Sequence, residues 1–407
     1  MKYIYCMYKK VLLSVLMQVL FILSGFASDT TKSEFLRKLN FKAEHGIALK
    51  TNDFIKSEGF RQGYEAYSLK YTLQPKHNDW LNYINHDSYN GVGLYFANLR
   101  EKRMGYPFSI FLVQGARLAR LHNRFTLNYE FNLGYSANWK TYNAFSNQDN
   151  ITIGTSENIH IGGAVFFDWA MSRRFNLRLG AGVTHFSNGA SRMPNKGLNL
   201  AAGFLEVNYK LNEDGYPKTP ETKPVAPPLR KRIDHEFLVT FSSRQVYYST
   251  TNTGLPTQYL NQKYRVLETS YSPMFVNRHK YKWGPSLNIL YDESSGSYAR
   301  REQNELDGFW YDRVIKGDMK ERFGVGIGLK GEITLPYVSY FANLGYNVIH
   351  GNERDSRFYQ ILGVKADIVS NIFGTFGIRA TRFSKAQFIY WSLGYALPVY
   401  RKEKPKA

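Results

Sequence analysis

His185-Phe186-Ser187-Asn188-Gly189 sets an imidazole and a hydroxyl two residues apart, at the end of an alternating stretch that begins at Phe175. In an extended chain, side chains i and i+2 share a face. Phe175, Leu177, Leu179, Ala181 and Val183 make one face apolar, while Asn176, Arg178, Gly180, Gly182 and Thr184 make the other polar or small. His185 and Ser187 fall on the apolar face. A base and a nucleophile on a face otherwise made of hydrocarbon suit a substrate that itself lies in hydrocarbon, that is, a lipid.

The chemistry such a pair supports is acyl transfer, in which the imidazole takes the serine proton and a third group holds the imidazole in one tautomer. On one strand, i and i+2 lie roughly 6–7 Å apart at the backbone, within reach of converging side chains. The third group has to come from a neighbouring strand. In the segment 199–211, Asn199 shares the phase of Ala201, Gly203, Leu205, Val207, Tyr209 and Leu211, so it is placed on the same outer face as His185. Setting His185 opposite Asn199 in an antiparallel pair also sets Arg178 opposite Glu206 on the inner face, where a charged pair belongs in a barrel interior. Backbone amides near Asn188 and Gly189 are the expected oxyanion donors, and Arg192 and Lys196, in the loop between the two strands, are candidate ligands for substrate phosphate.

The elements that position these residues are strands. Segments of about ten residues return at 65–74, 91–100, 107–117, 125–135, 160–170, 175–187 and 199–211, several with Tyr or Phe near their ends, as an interfacial aromatic girdle requires. Aromatics make up 16% of the chain and Gly numbers 33, yet beyond the N-terminal segment no run of 18 apolar residues occurs, so a helical membrane protein is excluded. Residues 1–27 carry Lys2, Lys9 and Lys10 and an apolar run from Val11 to Leu23, then Gly25-Phe26-Ala27, the pattern of a secretory signal peptide. Cys6 is the only cysteine and lies in that segment, so no disulfide and no thiolate-metal site is expected in the remainder. The net charge of +20 becomes about +17 without the signal lysines. No zinc pattern, recognition helix or RNA-binding motif accompanies it, so nucleic acid is not an expected partner. Loop clusters such as Arg100-Glu101-Lys102-Arg103 and Arg230-Lys231-Arg232 read first as solvated charge, and as the sharper alternative they suit anionic lipid head groups.

Residues 212–232 contain Pro217, Pro220, Pro224, Pro227 and Pro228 and read as a stiff linker. The chain repeats itself across it. Asn132-Leu133-Gly134-Tyr135 returns as Asn343-Leu344-Gly345-Tyr346, and Thr184-His185-Phe186-Ser187-Asn188 as Thr381-Arg382-Phe383-Ser384-Lys385. In the second copy arginine stands where the base would be, and a guanidinium accepts no proton near neutral pH. The second half is therefore expected to be structural or lipid-contacting.

The His185-Phe186-Ser187-Asn188 motif, followed by Pro194-Asn195-Lys196-Gly197 and a closing strand, resembles the lipid A 3-O-deacylase or acyloxyacyl hydrolase family over roughly residues 40–212, with the second half a divergent copy. The resemblance implies an outer-membrane barrel of eight strands with a lipid-facing serine site, in which His185 is the base, Ser187 the nucleophile and Asn188 a contributor to the oxyanion hole. The family has glutamate at the third position, where this chain has Asn199. His-x-Ser-Asn-Gly with an asparagine twelve residues after the serine also resembles outer-membrane phospholipase A, which implies calcium dependence and a twelve-stranded dimer.

These readings give an all-β transmembrane antiparallel barrel protein: signal peptide 1–27, a deacylase-like barrel 28–211, linker 212–232, a second barrel 233–400 and a basic tail 401–407. Two tandem barrels of about eight strands are expected, the rival being one barrel of about sixteen. The expected activity is removal of an ester-linked acyl chain from lipid A, the lipopolysaccharide anchor, in the outer membrane of a Gram-negative cell. No cofactor or metal is expected in that reading. The alternatives are the calcium-dependent phospholipase and a decayed barrel that binds lipid or serves as structure. The sequence leaves the oligomeric state open.

Overall fold

Period-two alternation of inward polar and outward apolar residues runs through the long strands of the chain, and closure of those strands into a barrel pairs their backbone donors and acceptors without leaving an edge. The computed structural model describes residues 35–75, 80–212, 224–248, 262–303, 305–306, 308–335, 338–382 and 385–400. The signal segment, the tail and most of the linker lie outside the described residues.

The first barrel consists of β1 (Phe35–Ala48), β2 (Gly63–Pro75), β3 (Tyr89–Asn98), β4 (Gly105–His122), β5 (Phe125–Trp139), β6 (Asn158–Ala170), β7 (Phe175–Ser187) and β8 (Leu198–Lys210), each antiparallel to the next and closed by β1 against β8. The second consists of β9 (Arg232–Gln245), β10 (Lys263–Val276), β11 (Tyr281–Asp292), β14 (Phe323–Ile333), β15 (Ser339–Ile349), β16 (Phe358–Val369), β17 (Ile372–Thr381) and β18 (Lys385–Tyr400), closed by β9 against β18. Between β11 and β14 the hairpin β12 (Tyr298–Gln303) and β13 (Trp310–Ile315) stands apart. Each half closes on itself, which overturns the single barrel of about sixteen strands. Asn-Leu-Gly-Tyr lies on the fifth strand of each barrel, and Thr184 and Thr381 lie on the seventh, so the repeat is topological as well as textual.

Neither interior is a channel. In the first barrel Lys70 Nζ lies 2.7 Å from both Glu130 and Glu206, and Arg178 bonds Glu206 at 2.7 Å and Asp168 at 2.6 Å, all of them buried. In the second, Lys330 pairs with Glu236 at 2.7 Å, Lys365 with Glu332 at 3.1 Å, and Arg379 with Glu268. Such charges are tolerated because each is paired; unpaired, each would cost several kcal/mol. Outward residues such as Phe41, Leu69, Val165, Phe167, Leu179, Leu205 and Val207 supply the apolar belt.

The two barrels pack side by side. Leu133, Phe131, Ile159 and Ile161, on the outer faces of β5 and β6, meet Val364, Ile378, Phe376, Ala386 and Ile389 of the second barrel. Phe131 and Tyr340 make an edge-to-face pair across the seam, with ring centroids 5.5 Å apart.

Candidate active site

In the β7–β8 ladder His185 stands opposite Asn199 and Arg178 opposite Glu206, so the register expected from the phase of Asn199, with its charged pair on the inner face, is the one observed. Phe186, between the two candidate catalytic residues, points inward and is fully buried. Its ring packs 4.9 Å from Trp139 and 5.0 Å from His160, in an apolar plug at the loop-bearing end of the barrel. That anchor pins the end of β7 and turns His185 and Ser187 outward. A second His–Ser pair, His160 Nδ1 with Ser109 Oγ at 3.0 Å, lies inside the barrel, shut off from any lipid.

His185 Nδ1 is 2.8 Å from Asn199 Oδ1. An amide oxygen only accepts, so Nδ1 carries the proton and Nε2 is left bare, the tautomer a general base requires. Asn199 is itself held: its Nδ2 donates to Thr51 Oγ1 at 3.1 Å, and its carbonyl accepts from Leu49 N at 2.8 Å. Gly197 makes room for the ring. Its φ is +72°, and a Cβ there would fall 2.8 Å from His185 Cε1, so both its conformation and its bareness are needed.

Ser187 Oγ accepts two hydrogen bonds, from Asn195 Nδ2 at 2.9 Å and from Gly189 N at 3.2 Å. Among the described residues no hydrogen bond joins it to His185, although the two side chains leave the same face of β7. Contacts of this kind commonly close only with substrate in place. Asn188, expected as an oxyanion contributor, makes its hydrogen bonds within the loop. Its N–H is spent on Asn195 Oδ1 at 3.3 Å and its Nδ2 on Arg192 O at 2.8 Å, so it braces the loop. Asn195 has the better geometry for that role and was missed, because nothing in the alternation of the strands reports where a loop side chain folds back. Arg192 and Lys196 are exposed on this loop, at the same end of the barrel.

One expectation is corrected. Ser187 lies on the outer face, yet it is only 4% exposed. The loop 188–197 folds over it, and the second barrel presses against that loop, with Ile389 of β18 beside Gly189. His185 remains partly open. The face is therefore half lipid-facing and half covered by the chain's own second barrel.

Among the described residues the second copy shows no equivalent pair. Arg382 is exposed, at φ +54°, just past the end of β17, and β18 begins at Lys385, whereas ten residues separate β7 from β8 in the first barrel. Ser384 lies outside the described residues.

Residues 239–399 match the family model of the acyloxyacyl hydrolase C-terminal domain. The match spans the second barrel, from within β9 to within β18, and not the first half where the motif resemblance was read. This copy has Arg382 at the place of His185. No curated protein matches the chain in sequence. Among solved structures, the outer membrane enzyme PagL is similar at 14% identity over 41% of this chain and 97% of its own, with a TM-score of 0.30. Neisserial surface protein A is similar at 11% identity over 43% and 97%, with a TM-score of 0.29.

Proposed function

We propose, taking as premise the acyloxyacyl hydrolase C-terminal domain that residues 239–399 match, that this chain is an outer-membrane serine esterase whose single active site lies on the first barrel and removes an ester-linked acyl chain from lipid A. The observation that carries the reading is the His185 Nδ1–Asn199 Oδ1 hydrogen bond on an outward, apolar face, two residues from Ser187. His185 Nε2 takes the Ser187 proton as Oγ attacks the ester carbonyl carbon. The oxyanion that forms is bonded to a carbon attached to Oγ, so Gly189 N–H and Asn195 Nδ2, already aimed at Oγ, are the donors that reach it. Collapse breaks the bond to the sugar oxygen, which takes the proton back from His185. Water, deprotonated by the same imidazole, then releases the fatty acid and restores Ser187.

Asn199 orients the imidazole without a negative charge, so the imidazolium formed in the transition state is less stabilised than beside a carboxylate, and a slow enzyme is expected. Arg192 and Lys196 stand at the loop-bearing end, where they suit the phosphates of an outer-leaflet substrate. The asparagine partner to the imidazole also suits a calcium-dependent phospholipase, and this second reading makes a different prediction.

Mass spectrometry of lipid A and phospholipids from cells expressing the wild type or Ser187→Ala, with and without a chelator, tests both. Loss of one acyl chain from lipid A in the wild type alone, indifferent to chelation, supports the deacylase. Chelator-sensitive lysophospholipid supports the phospholipase. Identical lipid pools reduce the chain to a structural barrel.

A further inference from the structure

We propose that Gln245, at the end of β9 in the second barrel, is a positioning residue for the active site of the first: it clamps the loop that delivers the oxyanion donors to Ser187. The proposal rests on the hydrolase reading above. Gln245 N–H donates to Ala190 O at 2.7 Å, and its Oε1 accepts from Met193 N–H at 2.9 Å. One side chain and its own amide therefore hold two points of the same ten-residue loop. Gln245 is 3% exposed, so neither bond competes with water.

The loop needs such a hold. It has no regular secondary structure, and both Gly189 and Ala190 sit at φ +63°, a region that a residue with a Cβ adopts only when its surroundings enforce it. Gln245 bonds the carbonyl of that strained alanine. Ile389 of β18 packs on Gly189 from the same side, so closely that a Cβ at 189 would lie 2.6 Å from its Cγ1. Downstream in the loop, Asn195 reaches Ser187 Oγ, and Asn188 ties back to Arg192. The end of β9 is in turn fixed by Arg244, bonded to Asp355 at 2.6 Å and to Asp292 at 2.9 Å. An oxyanion hole works only if its donors are held in place before the charge develops. The second barrel supplies that rigidity, which gives a copy with no catalytic imidazole a reason to be kept.

The test uses the purified full chain in detergent micelles with lipid A as substrate. Gln245→Met keeps the volume and removes the acceptor for Met193 N–H, while Gln245→Glu restores it. The expected result for Gln245→Met is a kcat lower by about tenfold, the loss of one shielded hydrogen bond, with KM within about twofold. Trypsin should cut after the exposed Arg192 and Lys196 about tenfold faster, since loop opening controls cleavage. The heat-modifiable gel mobility of the barrels should not change, and Gln245→Glu should recover most of both losses. If Gln245→Met does not fold, Ile389→Ala loosens the same loop from β18 and is expected to move both readouts in the same direction. Wild-type kcat and trypsin resistance in Gln245→Met would overturn the clamp and leave the hydrolase reading intact. A kcat loss without faster cleavage, or one that Gln245→Glu does not rescue, would also overturn it. A wild type that releases no acyl chain overturns the hydrolase reading and the positioning role together.

Discussion

Asn199→Asp should make this protein a faster enzyme. Asn199 Oδ1 receives the His185 Nδ1 proton at 2.8 Å, and Nδ2 donates to Thr51 Oγ1 at 3.1 Å. Aspartate preserves the shape and both contacts, since the threonine hydroxyl can donate where it now accepts. What changes is a full negative charge about 4 Å from the imidazolium that forms as Ser187 loses its proton. At an effective dielectric near 20 that separation corresponds to roughly 4 kcal/mol. Asn199 and His185 are both partly open to solvent, which reduces the gain to about 1–2 kcal/mol. The ground state, with a neutral imidazole, gains little, so the difference lowers the barrier and raises kcat by about 5- to 30-fold. Asn199→Leu should lower kcat by about 100-fold or more, because nothing then selects the tautomer with Nε2 free. The assay is single-substrate kinetics of acyl release in detergent micelles, with gel heat-modifiability as the check on folding. A folded Asn199→Asp protein with unchanged or reduced kcat would show that Asn199 is not the group that orients the base.

Gly189→Ala should combine about 1–2 kcal/mol of left-handed backbone strain with a clash against Ile389. Acyl release should fall at least tenfold, and Ile389→Ala in the same chain should recover part of it. Arg178→Met strips Asp168 and Glu206 of their shared cation inside the first barrel and should cost about 3–5 kcal/mol, read as a lower urea midpoint for loss of the folded gel band. Burial alone would raise the Asp355 carboxyl, but the charge and hydrogen bond of Arg244, together with the charge of Lys385 and the hydrogen bond from Gln387, hold it well below the usual carboxylate range. A depressed carboxyl contributes stability above its unfolded pKa and loses it only as pH falls through the folded one. The contribution should therefore persist from pH 7 through pH 5 and fade below about pH 4, whereas Asp355→Asn should lack it throughout, as urea midpoints across that range would report.

The site strands were legible in the sequence because their two faces differ so plainly. Arg178 and Glu206 are the only charged side chains on the inner faces of their segments until Lys210, and pairing them fixes a register that brings His185 to Asn199. The first strand, Phe35–Ala48, was not read. Its inward Lys38, Lys42 and Glu44 belong to the buried ionic core, and in sequence they look like a solvated charge cluster. Alternation also says which face a residue takes but not what lies against that face. The phase of Ser187 places it outward, and its cover by residues 188–197, with Ile389 against Gly189 of that loop, depends on how two closed barrels dock. Asn195 and Gln245 were out of reach for the same reason, since loop contacts carry no period.

An esterase at this site requires Ser187 to be a nucleophile activated by His185. Intact-protein mass spectrometry with peptide mapping, after brief exposure to a fluorophosphonate in detergent micelles, tests this, because that reagent phosphonylates an activated serine far faster than an unactivated one. A single adduct mapped to Ser187 in the wild type, and lost in His185→Ala, is the predicted result. No adduct on a folded wild-type protein, or labelling of Ser187 that His185→Ala leaves undiminished, would contradict it.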